Sequence, residues 1–349
     1  MEINDEKKAM KITQNDHTQQ TPQTQQQQQQ QQQQSLSTNK KRRNVFKIGF
    51  IWRPVPSILS TTLCFGITGI IFVIIGIILL HYSHKIKEIE IRYDNIPECK
   101  RALQSTTNKQ CQIPIELESD FNGPVMVYYQ LNNFYQNHRR YLKSKSVSQL
   151  KGELKSVDDI KDECEPVIRN SDLWKTTSFN DTPLDPDAPA NPCGLIARSL
   201  FNDSYVLTTD EDGYIVVDIS PKNISWKSDR NGRYRRPKNA EKIQWTDVED
   251  ERFMVWMRPA GLPDFRKLWG RIEQGLTKGK YYLKVTNNYQ VESFNGKKSF
   301  VLSTVNTFGG DNTFLAVVYL VVGGVSICAG VAFWIGYWRF NNVRKAKLN

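Results

Sequence analysis

"SILSTTLCFGITGIIFVIIGIILLHY", residues 57–82, contains no Asp, Glu, Lys or Arg. At 1.5 Å per residue a helix of this length runs about 38 Å, enough to cross a bilayer. It begins more than fifty residues into the chain, exceeds the apolar core of a signal peptide and lacks a small-residue cleavage site. A second charge-free run covers 314–338. The two runs predict a pair of transmembrane helices at 57–82 and 314–338. Between them, 83–313 forms a separate extramembrane domain.

The charge pattern orients the helices. The 349 residues carry a formal charge of +11, but residues 1–56 hold nine Lys/Arg against four Asp/Glu, and 339–349 hold four Lys/Arg and no acid. The domain between the tails is nearly balanced, which removes the ground for a nucleic-acid partner. Lys40, Lys41, Arg42, Arg43, Lys47 and Arg53 precede the first span, and Arg339, Arg344, Lys345 and Lys347 follow the second. The positive-inside rule therefore predicts both termini in the cytosol and 83–313 in the lumen or outside the cell. Phe333, Trp334, Tyr337 and Trp338 supply an aromatic belt at the cytosolic interface. Residues 1–44, with their glutamine run from Gln25 to Gln34, read as a disordered arm joined by a juxtamembrane segment, 45–56. The closing KAKLN is similar to a coat-binding retrieval signal, although positive-inside charge accounts for it as well.

Cys99, Cys111, Cys164 and Cys193 all fall in the central domain, and their even number suits an oxidising compartment. Four cysteines allow three connectivities. Cys64 and Cys328 lie inside the spans and are expected to stay free. Glycosylation sequons start at Asn180, Asn202 and Asn223. Asn202 and Asn223 are the expected sites because each adjoins a predicted strand, whereas Pro183 follows the Asn180 sequon directly.

The central domain reads as mostly β. Strands are predicted at 125–131 and 252–257, a hairpin over 205–220, and a second hairpin around Asn295-Gly296. Helices are predicted over Asn133–Lys145 and Asp264–Gln274, the latter with Asp264 as N-cap. On the first, Phe134, His138 and Tyr141 share one face, turning Arg139 and Arg140 away. "GRIEQGLTKGK" lacks the GK[ST] of a phosphate-binding loop, and the chain has no DKTG, GxSxG, HExxH or CxxC. No catalytic, cofactor or metal residue is expected. In the second span Ala316, Gly323 and Gly330 recur every seven residues, a small-residue face for close helix packing against the first span, a second protein, or both.

"NFYQNHRRYLKSKSVSQL", "DECEP", "NPCGLIARSLFNDS", "FMVWMRPAGLPDFRKLWGRIEQG" and "FNGKKSFVLSTVNTFGG" occur in this order. In sequence and spacing the chain resembles the cell-division-control protein 50 (Lem3-type) family over about residues 46–338. That resemblance implies a disulfide-stapled antiparallel β-sandwich-like domain between two spans. It implies neighbour pairing of the cysteines, Cys99 with Cys111 and Cys164 with Cys193. It also implies a non-catalytic β-subunit that pairs with a type-IV P-type ATPase among membrane lipids. Such a subunit is needed for the pump's exit from the endoplasmic reticulum and for ATP-driven phospholipid flipping, there, in Golgi and endosomes or at the plasma membrane. Asn133, Phe134, Tyr135, His138, Arg139, Arg140, Arg258, Phe265 and Arg266 are its motif and partner-contact candidates. A two-span ligand-gated ion channel with a disulfide-rich ectodomain shares the topology and is the alternative.

Overall fold

The computed structural model describes residues 57–105, 109–306 and 308–346. The glutamine arm, the juxtamembrane segment 45–56 and the last three residues of the tail lie outside the described residues. Residues 57–61 contribute only the opening of the first helix, and the described residues from 62 onward form a compact unit of their own.

Two apolar helices bound the body: Ile58–Ser83 and Thr313–Ala346. The second runs past the predicted end at 338, so residues 339–346 of the basic tail continue the helix. The small residues at every seventh position face the first span. Ala316 is fully buried, and its carbonyl would stand 3.1 Å from a Cβ on Gly76. A Cβ on Gly323 would lie 2.9 Å from both the Gly69 carbonyl and Val73 Cγ2. Gly330 is looser, with Gly66 N at 3.4 Å from the corresponding point. Phe72 meets Tyr319 edge-on at 5.3 Å, and Phe65 stacks on Phe333 at 5.8 Å. Lipid offers no hydrophobic reward for helix association, so close backbone approach through small residues holds the pair. Ser83 Oγ donates to Asp311 and accepts from Asn312 N, tying the body-side ends together.

This seam gives a direct test. Gly323→Leu should prise the spans apart, by about 1–3 kcal/mol as for other overpacked contacts. Oxidative cross-linking of a Phe72→Cys/Tyr319→Cys pair should fall sharply in that background. Gly324→Leu should leave it intact, because a Cβ there meets nothing within 4 Å. Equal cross-linking in both backgrounds would show that Gly323 is not in the seam.

The body has two four-stranded sheets. The strands are β1 (Glu88–Arg92), β2 (Gln110–Leu117), β3 (Val125–Asn132), β4 (Ser204–Thr208), β5 (Val216–Val217), β6 (Phe265–Ile272), β7 (Gly279–Thr286) and β8 (Lys297–Thr304). One sheet has the order β1-β8-β3-β6 and the other β2-β7-β4-β5, with every pairing antiparallel. The alternation of β3 buries Val125, Val127, Tyr129 and Leu131, while β2 buries Cys111, Ile113, Ile115 and Leu117. With Leu283, Val285, Phe300 and Leu302 these form one buried cluster shared by both sheets. Each such side chain contributes about 1.5–3 kcal/mol on burial.

Four expectations are corrected. Residues 252–256 are helical, within Glu251–Trp256, and Met257 is the C-cap. Phe253, Met254, Trp256 and Met257 are buried at i, i+1, i+3 and i+4, and Asp250 caps Arg252 N; this helical spacing outweighs the apparent alternation. Conversely, the helix expected over Asp264–Gln274 is β6, with Phe265, Lys267 and Trp269 pointing inward at every second position. The Asn295-Gly296 turn does not join a hairpin: β7 and β8 belong to different sheets, and residues 287–296 cross between them. Finally, of the helix expected over Asn133–Lys145 only Arg139–Lys143 forms.

The cysteines pair Cys99–Cys111 and Cys164–Cys193, 12 and 29 residues apart, while Cys64 and Cys328 are free. In the chain-entropy account, loops of these lengths contribute about 3 kcal/mol each.

Candidate functional site

Register locates the Asn133 stretch. Thr304, at the end of β8 nearest the second span, pairs with Val125, and Thr304 N donates to Lys87 O beside the first span. From Val125 to Asn132, β3 advances seven steps at about 3.3 Å, so Asn132 stands about 23 Å from the span-side edge and Asn133 follows it. The stretch therefore builds the far end of the body.

There the chain turns sharply. Asn133 sits at φ +62°, its N–H donates to Asp264 Oδ1, and its amide donates to Phe294 O. Asp264 is thus a turn acceptor and not a helix cap. Phe134 N donates to Pro263 O. The Phe134 ring then contacts Phe294 (5.3 Å), Trp256 (5.8 Å), Tyr141 (5.9 Å) and Phe265 (6.3 Å). Gln136 is fully buried, and its Oε1 accepts from Ala260 N at 2.9 Å.

Two further residues of the stretch clamp the second disulfide loop. Ser144 Oγ donates to the Cys164 and Glu165 carbonyls and accepts from Leu195 N. Gln149 donates to Ala190 O and accepts from Cys193 N. Tyr141 OH meets Ser199 Oγ at 2.8 Å, and the Trp256 indole donates to Ile196 O at 2.7 Å. The motifs quoted above from separate parts of the chain thus converge on one junction, built of hydrogen bonds and ring contacts. His138, Arg139 and Arg140 point to solvent, as does Tyr135, which is 57% exposed. His138 therefore does not share a buried face with Phe134 and Tyr141.

The remaining candidates are dispersed. Arg258 forms a two-pronged ion pair with buried Asp229, at 2.5 and 3.0 Å, and lies over the Trp226 ring. Arg266 lies across the outer face of the first sheet, reaching Gln130, Glu88 and Glu90. Phe265 packs inward at the junction.

Sequence reading missed two buried cations. Lys267 donates to the carbonyls of Val255, Trp256 and Arg258, at the C-terminal end of a helix where negative partial charge collects. Burial pulls its ammonium down to about 7. Lys298 contacts Asp203 at 2.6 Å, and both side chains are almost wholly enclosed. Asp203 also accepts from Tyr93 OH and from the N–H groups of Asn288 and Tyr289. Burial pulls the Lys298 ammonium down from its ordinary value, and the Asp203 charge opposes that shift. Asp203 lies inside the "FNDS" run, where the sequon drew attention to Asn202 instead. Among the described residues no cluster of three or more His, Cys, Asp or Glu could hold a metal ion.

The sequons are unequal. Asn180 and Asn223 are exposed, whereas Asn202 is half-buried and its Oδ1 is enclosed with no partner. By exposure Asn202 therefore ranks below Asn223. In an oxidising compartment Asn223 should carry the most complete glycan, since Pro183 handicaps Asn180 and burial handicaps Asn202. Single Asn→Gln variants followed by glycosidase digestion give the order, and a larger mass shift lost at Asn202 than at Asn223 would reverse it.

Fold and site together define a two-span membrane protein whose disulfide-stapled, two-sheet body is built around a junction of aromatic and amide groups. A profile of the LEM3 (ligand-effect modulator 3) family / CDC50 family matches residues 79–343. Mouse cell cycle control protein 50A is 36% identical over 330 residues, covering 83% of this chain and 86% of the relative. Arabidopsis thaliana ALA-interacting subunit 3 is 40% identical over 294 residues, covering 78% of each. Human cell cycle control protein 50B is 32% identical, covering 83% and 91%. The chain belongs to the CDC50/LEM3 family. The ion-channel alternative finds no support in these relatives.

Proposed function

We propose that this chain is the accessory β-subunit of a type-IV P-type ATPase. In this reading it escorts the catalytic subunit out of the endoplasmic reticulum and completes, as a heterodimer, its ATP-driven movement of phospholipid to the cytosolic leaflet. The observation that carries the proposal is the likeness, over most of the chain, to proteins named as ALA-interacting subunits. The architecture agrees with it. The junction is built for packing, and its polar groups are occupied in holding backbone. Because the small-residue seam is filled by the first span, the pump contact is assigned to the outward faces of the spans and to the body. The basic flanks favour a cytosolic side for both termini and, with it, a lumenal or extracellular body. Golgi, endosomes and the plasma membrane are the expected destinations.

The test is removal. Without this chain a partner type-IV ATPase should remain in the endoplasmic reticulum, and inward movement of labelled aminophospholipid should fall. The purified chain alone should hydrolyse no ATP. Normal maturation and transport in its absence, with no paralogue present, would refute the assignment.

A further inference from the structure

A concave pocket of about 510 Å³ opens at the far end of the body, and Lys145, Lys151, Arg233 and Arg258 line it against one carboxylate, Asp229. That carboxylate is already engaged: Arg258 holds both of its oxygens, and Arg233 lies 3.6 Å away. Lys145 and Lys151 form no ion pair among the described residues. Lys145 is half-buried, and burial together with the nearby Arg233 charge lowers its pKa. Holding like charges together while partly desolvated is unfavourable unless an anion is supplied.

The positive surface extends beyond the pocket. Arg139, Arg140 and Lys143 are exposed on the short helix that leads into Lys145, and none of them forms an ion pair among the described residues. From Asn133 to Gly152 the sequence contains no Asp or Glu. Apolar groups are interleaved with these cations: Val147 at the pocket mouth is 52% exposed, Leu142 is 38% exposed, and Met257 and Pro259 complete the wall. A row of separated cations with apolar contacts between them suits carboxylates spaced along a chain better than a single small ion.

We propose that this pocket and the adjoining helix dock an acidic polypeptide segment of a partner protein, its carboxylates meeting Lys145, Lys151 and Arg233 and an apolar side chain meeting Val147 and Met257. The site is at the end of the body remote from the spans. It is therefore distinct from contacts to a pump at the membrane surface, and it does not depend on the pump assignment.

The full-length protein in detergent provides the test. A labelled eight-residue peptide alternating glutamate with leucine should raise fluorescence anisotropy, and its glutamine counterpart should not. Lys145→Gln/Lys151→Gln should weaken binding by about tenfold or more, with an unchanged melting temperature. Lys278→Gln/Lys280→Gln, exposed at the opposite end of the body, should leave it unaltered. Equal binding of the two peptides, or of the pocket variant and the native protein, would overturn the proposal. So would displacement of the peptide by millimolar inorganic phosphate to the same extent from both, which would indicate nonspecific ion exchange.

Discussion

Lys298→Met should lower the stability of the body by about 3–5 kcal/mol, the usual cost of leaving one member of a buried ion pair behind. Asp203 would keep its Tyr93 hydroxyl and its two backbone N–H donors but lose its only buried cation. Lys298 also donates to Asn287 and to the Tyr289 carbonyl, so the same change leaves two acceptors in the crossing between the sheets without this donor. Adding Asp203→Asn should recover part of the loss, because neither charge then remains buried. Arg266→Gln is the contrast: its guanidinium and both glutamates are about one-third exposed, where ion pairs contribute about 1 kcal/mol or less. Denaturant titration of the full chain in detergent separates these cases. A Lys298→Met protein as stable as the Arg266→Gln protein would contradict the buried-pair account.

Gly194→Ala should cost about 3 kcal/mol or more, at the upper end of single substitutions. Gly194 has φ +95°, and a Cβ there would lie 2.2 Å from the Ser144 carbonyl oxygen and 2.6 Å from its carbon. Both obstacles are backbone, so no rotamer change relieves them. Any shift would also disturb the Ser144 hydroxyl, which joins Leu195 N to the Cys164 carbonyl. Gly232→Ala meets nothing within 4 Å and should stay within about 0.5 kcal/mol. Thermal melts of the two variants check the comparison. Matching melts would show that the Gly194 turn tolerates a side chain.

The spans were legible because two charge-free runs of that length, each with a basic flank, fit a bilayer better than a buried core. β3 was legible for a similar reason, since its inner and outer positions differ cleanly along the strand. The segments 252–257 and 264–274 were not. Phe253, Val255 and Met257 alternate as a strand would, and Asp264 after Pro263 imitates a helix start. What decides these segments is tertiary: the pairing of β6 with β3 and the burial of Met254 and Trp256. The Asn295-Gly296 turn was read correctly as a turn, with Asn295 at φ +52°, but which sheet each flank joins is a long-range matter. Of the junction, the residues were visible as motifs while their roles were not. Ser144 and Gln149 act through carbonyls and N–H groups twenty or more residues away, and nothing local announces such partners. Lys267 and Lys298 look like ordinary strand lysines until inward orientation is known.

The sheet order also has a temporal side. β8 lies between β1 and β3, so the first sheet is held together by the strand nearest the second span. A chain still emerging from the ribosome, short of residue 297, can pair β3 with β6 but has nowhere to seat β1, and Asp203 has no counter-ion. The central strand and its lysine arrive only about 16 residues before the second apolar helix begins, Lys297 against Thr313. Completion of the body therefore reports that synthesis has nearly reached the second membrane segment. A quality-control system that inspects only the body would, in effect, be reading whether the second span is about to follow.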